Sequence, residues 1–235
     1  MVHVPHPTNQ PDSVHLIDER RPGWEEPEAA CATLVYLTAY QALTTWGSLA
    51  ESSTVLVTGA SGGVGVAAVQ LAAAMGHFVV ALSRSQDKRE RLLQVGANLC
   101  LDPALPGWRL ALKKTLAPRR VDLAIDNIGG TLLPEVIDTL GDGGRVSLVG
   151  RLAGPVPSFN TAALFFRRLR MGGVAVGANT NAESRAAWTE VLALLQRTNT
   201  RPLVDRVFSF EELPEAFARL ATGPMGKVLI KVAPR

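Results

Sequence analysis

The chain has 235 residues, 47% of them hydrophobic and 19% charged, a composition with ample apolar material for a packed core. No uninterrupted apolar run is long enough to span a bilayer, and Met1–Gln10, rich in Pro and His, lacks the apolar centre of a signal peptide, so a cytoplasmic protein without membrane contact is expected. The net charge of +3 is spread over many segments, and its tightest cluster, Arg167, Arg168 and Arg170, sits on no recognisable nucleic-acid-binding module, which argues against nucleic acid as a partner.

Met1–Pro27 carries several prolines and three of the four histidines without sustained periodicity, and reads as an arm. His3, His6 and His15 are fixed on no rigid element, so no metal site is expected there. Glu28–Trp46 has apolar positions at helical spacing and stops at Gly47. Val55–Val57 reads as a buried strand. It is followed by the turn Thr58-Gly59-Ala60-Ser61-Gly62-Gly63-Val64-Gly65 and by a helix running to Met75, whose apolar residues Val64, Ala67, Ala68, Leu71, Ala72 and Met75 share one face. Phe78–Leu82 is the second strand, Gln86–Val95 a charged helix ended by Gly96, and Asn98–Leu101 a short third strand. Trp108–Leu116 and Val121–Ile125 are the next helix and strand, then Thr131–Leu140, a turn at Gly141–Gly144, and a fifth strand at Arg145–Val149. Thr161–Arg170 reads as a helix, Gly172–Val176 as a sixth strand and Ala182–Gln196 as a helix. A tail of strand, helix and strand closes the chain at Val204–Phe208, Glu211–Ala221 and Lys227–Val232. Strands alternating with helices over about a hundred residues predict an α/β fold, a doubly wound parallel sheet of six strands. The two cysteines, Cys31 and Cys100, have no metal-ligand spacing and read as buried, reduced thiols.

The chemistry starts at the glycine turn. A strand, a glycine-rich turn and a helix start within one βαβ unit put unpaired backbone N–H groups where a pyrophosphate binds, with Ala60, Ser61, Gly62, Gly63 and Val64 as the candidate contacts. The end of the second strand lies beside the adenosine ribose of such a ligand. A carboxylate there would accept from the 2′-hydroxyl and favour NAD, whereas this chain has Ser83 and Arg84, with Lys88 one turn on. Hydroxyl and cationic groups suit a 2′-phosphate, so the expected cofactor is NADP(H). Val149 and Gly150, at the end of the fifth strand, complete the set read from the strand ends.

The string Thr58–Gly65 also fits the glycine pattern of short-chain dehydrogenases. Those enzymes need a tyrosine with a lysine four residues on, beyond the middle of the sheet. Tyr36 and Tyr40 both precede the glycine turn, and Tyr40 and Thr44 stand four residues after them, so that chemistry is excluded.

From about Glu28 onward the chain resembles the zinc-independent quinone oxidoreductases of the medium-chain dehydrogenase/reductase superfamily. The resemblance is carried by Leu37–Leu43, Val55–Gln70, Val95-Gly96-Ala97, Asp122–Gly130, Gly143-Gly144-Arg145 and Gly226-Lys227-Val228. It implies that Thr38, Asn127 and Ile128 lie near the nicotinamide, and that Leu34 stands where zinc-dependent relatives place a cysteine ligand, so that no catalytic metal is present. The implied activity is NADPH-dependent reduction of a quinone or α,β-unsaturated carbonyl by direct hydride transfer, with Tyr36 and Tyr40 either donating a proton or packing in their helix. Members carry a GroES-like domain upstream, for which Met1–Pro27 is too short, and Asp102-Pro103 replaces the usual Asn-Tyr. The expected organisation is an arm at 1–27, an NADP(H)-binding Rossmann domain at 28–200 and a tail at 201–235 that is a remnant of the GroES-like domain. A non-catalytic NADP(H)-binding module, and a truncated or split enzyme completed by a separate GroES-like chain, are the alternatives. Relatives pair their sixth strand across a two-fold axis, which implies a homodimer joined there.

Overall fold

The computed structural model describes residues 23–155 and 158–232, so the arm lies outside the described residues except for Gly23–Pro27. In order, the elements are α1 (Glu26–Thr44), β1 (Thr54–Val57), α2 (Gly63–Ala74), β2 (Phe78–Leu82), α3 (Gln86–Gln94), β3 (Leu99–Leu101), α4 (Trp108–Leu116), β4 (Val121–Asp126), α5 (Leu132–Thr139) and β5 (Leu140–Leu148). They are followed by α6 (Ala162–Phe166), β6 (Arg170–Gly173), α7 (Asn181–Arg197), β7 (Val204–Ser209), α8 (Leu213–Ala221) and β8 (Lys227–Lys231). Helix α1 begins within the expected arm. Pro27 is tolerated in a first turn, and the Glu28 carboxylate accepts the Glu25 N–H at 2.8 Å, closing the helix end.

Six parallel strands form one sheet in the order β3-β2-β1-β4-β5-β6. Every residue of β1 is buried, as a central parallel strand covered on both faces requires. Val55 and Val57 face α1, α2 and α7, whose Ala39, Val66, Ala67 and Trp188 fill one core cluster. Leu56 faces the other way, into a second cluster with Trp108 and Leu112 of α4, and Val136 and Ile137 of α5. Each such fully buried aliphatic side chain contributes about 1.5–3 kcal/mol. Order 3-2-1-4-5-6 makes the chain leave β1 toward β2 on one side and return to β4 on the other. A crevice therefore opens beyond the carboxyl ends of β1 and β4.

Two predicted boundaries move. The sixth strand is Arg170–Gly173, two residues earlier than expected, and α6 stops at Phe166. The Arg167 guanidinium donates to the Leu140 carbonyl, and Arg168 takes φ 52°, a left-handed conformation that no helix continues. Val176, expected to end the sixth strand, instead opens a single 3₁₀ turn at Val176–Ala178. The turn expected at Gly141–Gly144 is a bulge inside β5: Val121 pairs with Leu140 and Leu123 with Arg145, so the four residues between are extruded, with Gly143 at φ 72°. At the opposite side β6 is an edge strand. Trp46 lies over Gly172, its Cη2 2.8 Å from where a Cβ would stand, and its indole N–H donates to Ser147 Oγ at 3.0 Å.

The tail is not free. Strands β7 and β8 form a two-stranded parallel sheet. A pair of strands is marginal alone, and this one is anchored at the end where both strands begin. Arg201 reaches Glu28 at 3.0 Å, and Gln70 Nε2 donates to the Arg201 carbonyl at 3.0 Å. Gly62 and Gly226 form a parallel bridge.

Both cysteines are free, Cys31 buried and Cys100 half-buried. Burial pushes both thiols up to about 11 and raises Tyr36 in the same direction. The folded chain therefore holds these protons more tightly than the unfolded chain. Their contribution to stability is full below the thiol's ordinary range near 9 and is lost as pH rises toward 11. The urea midpoint is expected to be lower at pH 10.5 than at pH 8 by an amount that shrinks in a Cys31→Ala/Cys100→Ala double variant. A decline just as large in the double variant would contradict the assignment.

Candidate cofactor site

At the crevice the ends of β1 and β4 are joined by one buried network. The Thr58 hydroxyl donates to Asp126 Oδ1 at 2.7 Å and accepts the Asn127 N–H at 2.9 Å, while Asn127 Nδ2 donates to the Thr58 carbonyl at 2.8 Å. The fully buried Asp126 carboxylate also accepts the N–H groups of Gly129 at 2.9 Å and Ile128 at 3.3 Å. The network fixes where Asn127 and Ile128 stand. Ile128 Cδ1 lies 2.9 Å from the position a Cβ at Gly59 would occupy, and Gly59 itself takes φ 56°. Val149 and Gly150 both donate to the Asp126 carbonyl, at 2.8 and 3.2 Å, and a side chain at Gly150 would meet the Asn127 carbonyl at 2.8 Å. Asn127 and Ile128, implied by the resemblance, and Val149 and Gly150, from the end of the fifth strand, are thus held together beside the glycine turn.

The turn leads straight into α2. Gly62 is its N-cap and supplies no capping side chain, and the first turn carries no acidic residue. Its N–H groups keep their partial positive charge for an outside anion. Ser61, Gly63 and Val64 are half-buried, Gly62 is exposed and Ala60 is buried. A Cβ at Gly65 would come within 2.3 Å of the Gly59 carbonyl oxygen, so this glycine lets the helix close on the turn. Gly63 has another neighbour, which sequence reasoning missed. The stem of Lys227 crosses it, with Cδ 2.7 Å from the Cβ position, and the Gly226 N–H donates to the Ser61 carbonyl at 3.0 Å. The Gly-Lys pair near the C-terminus thus lies on the N-terminal turn of α2. Its only trace in the sequence was a matched motif without a role.

Ser83, Arg84 and Lys88 follow β2 at the same sheet end. Ser83 is buried, Arg84 is exposed, and Ser85 caps α3 by accepting the Lys88 N–H at 3.4 Å. The Lys88 ammonium donates to the Gly223 carbonyl of the tail. Asp102 accepts from Arg89 at 3.3 Å and caps Ala104 N–H at 2.9 Å. Thr38 is buried in α1, its hydroxyl donating to the Leu34 carbonyl at 2.7 Å, which leaves the oxygen's lone pairs free to accept.

The Tyr36 hydroxyl is buried and donates to Gln70 Oε1, so it packs and does not face the crevice. Leu34 is 65% exposed. His3, His6 and His15 lie outside the described residues, and among the described residues no three His, Cys, Asp or Glu side chains come together as a metal site. No helix among them is long and apolar enough to cross a membrane. A surface groove of about 740 Å³ lies elsewhere, between α4 and α5, lined by Leu105, Leu112, Arg109 and Asp138. Arg109 bridges it to Asp138 at 2.7 Å.

A family model described as zinc-binding dehydrogenase matches residues 63–197, more than half of the chain, and its match begins at the first residue of α2. The chain belongs to that family. It thereby falls in the medium-chain dehydrogenase/reductase superfamily, of which the match covers the Rossmann part. Quinone oxidoreductase of Sus scrofa is 26% identical over 221 residues, which are 93% of this chain and 66% of that protein. Among solved structures, a protein described as NAD-dependent alcohol dehydrogenase superposes with TM-score 0.79 at 27% identity, covering 89% of this chain and 60% of that one. Escherichia coli quinone oxidoreductase, solved with NADPH, superposes with TM-score 0.77 at 22% identity, covering 86% and 64%, and shares the fold. The chain spans less than two thirds of the length of each of these three proteins.

Proposed function

We propose that this chain is the NADP(H)-binding part of an oxidoreductase that reduces a quinone or an α,β-unsaturated carbonyl without zinc. The observation that carries the reading is the end of β2. Where a carboxylate would select NAD, the chain presents Ser83, Arg84 and Lys88 on the same sheet end as the uncapped first turn of α2. The quinone oxidoreductase relatives and the NADPH-bound neighbour of the same fold support it.

In this reading the N–H groups of Gly63 and Val64 hold the pyrophosphate, with Ala60, Ser61 and Gly62, whose own N–H donates to the Gly59 carbonyl at 3.0 Å, shaping the turn and the Lys227 ammonium adding charge. Ser83, Arg84 and Lys88 hold the 2′-phosphate. Thr38, Asn127, Ile128, Val149 and Gly150 line the nicotinamide end, where the Thr38 oxygen and the backbone orient the ring. The chemistry supplied there by a bound nicotinamide is hydride donation to an electrophilic carbon. The chain's part is orientation and exclusion of water, with solvent returning the proton to the product. Leu34, at the position of a zinc-ligand cysteine, supplies no metal-binding group, which supports zinc-free chemistry. Residues 28–200 then form the cofactor unit, and 201–235 the remnant of a GroES-like domain that has come to lie on it.

Titration calorimetry on the full chain is expected to give NADPH an affinity at least about tenfold above NADH, the value of one charge-assisted contact, and Arg84→Gln is expected to remove most of that preference. Equal affinities would refute the NADP(H) assignment. Oxidation of NADPH by 1,4-naphthoquinone above the buffer rate is expected in the same preparation. Binding without turnover would leave a non-catalytic module.

A further inference from the structure

The residue read as a phosphate ligand is already engaged. Lys88 sits in the first turn of α3, and its ammonium donates to the carbonyl of Gly223, in the loop that leaves α8. The acceptor is a neutral carbonyl, so the bond positions the lysine without neutralising it. An ammonium has three N–H donors, and this contact uses one.

The other end of the same loop is fixed on the glycine turn. Gly226 donates to the Ser61 carbonyl at 3.0 Å and bridges Gly62, and the intervening Met225 is buried. Gly226 takes φ 84°, and a Cβ there would stand 2.3 Å from the Leu203 carbonyl oxygen, so the loop is held on both sides. Five residues, Thr222–Gly226, therefore span from the glycine turn to Lys88.

On the reading of the cofactor site given above, we propose that Lys88 is shared between Gly223 and the 2′-phosphate. The loop Thr222–Gly226 is then a wall of the adenosine site, and the tail carries part of the selectivity for NADP(H) over NAD(H). Lys88 acts as the ligand, and the Gly223 carbonyl as the group that positions it. A ligand with a 2′-phosphate closes a chain of contacts from phosphate through ammonium to tail, and a ligand without one does not.

Hydrogen exchange on the full chain tests this with NADPH, with NADH and with adenosine 2′,5′-bisphosphate as a probe of the phosphate alone. NADPH and the bisphosphate are expected to slow exchange across Gly223–Val228 by about fivefold or more relative to NADH at equal saturation, the scale of one added charge-assisted bond. Lys88→Met is expected to abolish that difference and to lower the NADPH-over-NADH affinity ratio about tenfold, and Lys88→Arg to retain most of both. Arg84→Gln is expected to weaken NADPH while leaving the slowing at saturation. Equal slowing by the two dinucleotides, faster exchange with NADPH, or slowing that survives Lys88→Met would overturn the proposal while the cofactor site stands. Absence of binding by either dinucleotide in calorimetry would overturn the site itself.

Discussion

Gly65→Ala is expected to lower the stability of the chain by about 2–3 kcal/mol and to abolish dinucleotide binding, because the added methyl has nowhere to go. Its Cβ would stand 2.3 Å from the Gly59 oxygen and 2.7 Å from the Ala60 backbone. Those atoms are main chain in a turn whose Gly59 is already at φ 56°, so they cannot swing aside as a side-chain tip would. Relief requires α2 to back away from the turn, which pulls Val66 and Ala67 out of the core against α1 and removes the N–H groups of the first turn from the crevice. Gly62→Ala is the matched control. Gly62 has φ −75°, and its Cβ would meet only the Gly59 oxygen, at 3.4 Å, an ordinary contact. That variant is expected to fold with a midpoint close to wild type and yet to bind the dinucleotide at least about tenfold more weakly, since in the proposed site a methyl on the exposed Gly62 takes up room at the phosphate-binding turn. Thermal unfolding and calorimetry on the two variants separate the roles. Loss of stability in both, or of binding in neither, would mean that the turn is not a phosphate cradle.

The contrast between the two glycines shows what the sequence could and could not convey. The strands β1, β2 and β4 were legible because each is a short apolar run, and the helices between them because their apolar residues recur at helical spacing or a glycine ends them, and the order of such units dictates a parallel sheet. The glycine turn and the basic end of β2 were legible for the same reason: the chemistry follows from position within a local βαβ unit. Strand β6 was misplaced because its start depends on Arg168 adopting a left-handed conformation, held by Arg167 on the Leu140 carbonyl, a contact with no local signature. Lys227 over Gly63, Gly226 on Ser61 and Lys88 on Gly223 are contacts between segments far apart in the chain. No periodicity encodes them, and they are what turns a separate tail into part of the candidate site. Asp126 was read as one residue of a matched turn. Its burial, and the donors converging on it, appear only when β1 and β4 lie side by side.

Asp126→Asn is therefore expected to be far more damaging than an isosteric change suggests. The native carboxylate is acceptor-only and takes the Thr58 hydroxyl at 2.7 Å, the Gly129 N–H at 2.9 Å and the Ile128 N–H at 3.3 Å in a fully buried position. An asparagine has one acceptor oxygen, and its amide turns two hydrogens toward groups that are themselves donors. Whichever way it is oriented, either the Thr58 hydroxyl or the Gly129 N–H is left facing an N–H instead of an oxygen, a loss of about 1–3 kcal/mol per buried group. A total of about 3 kcal/mol is expected, a fall in the thermal midpoint of roughly 6–12 °C for a chain of this size. Thr58→Val removes one donor and one acceptor from the same network, stranding the Asn127 N–H. The two substitutions are expected to be non-additive, with a double variant less destabilised than the sum by about 1 kcal/mol or more, because the Thr58–Asp126 bond is lost in either single variant. Strict additivity would show that the carboxylate is held by the Gly129 and Ile128 amides alone. The functional consequence follows from place: the Asp126 side chain holds Ile128, Gly129 and, through Thr58, Asn127, while its main-chain carbonyl, kept in the variant, holds Val149 and Gly150. At a temperature where the variant is still folded, its dinucleotide affinity is expected to fall even though Asp126 itself, wholly buried, faces no ligand.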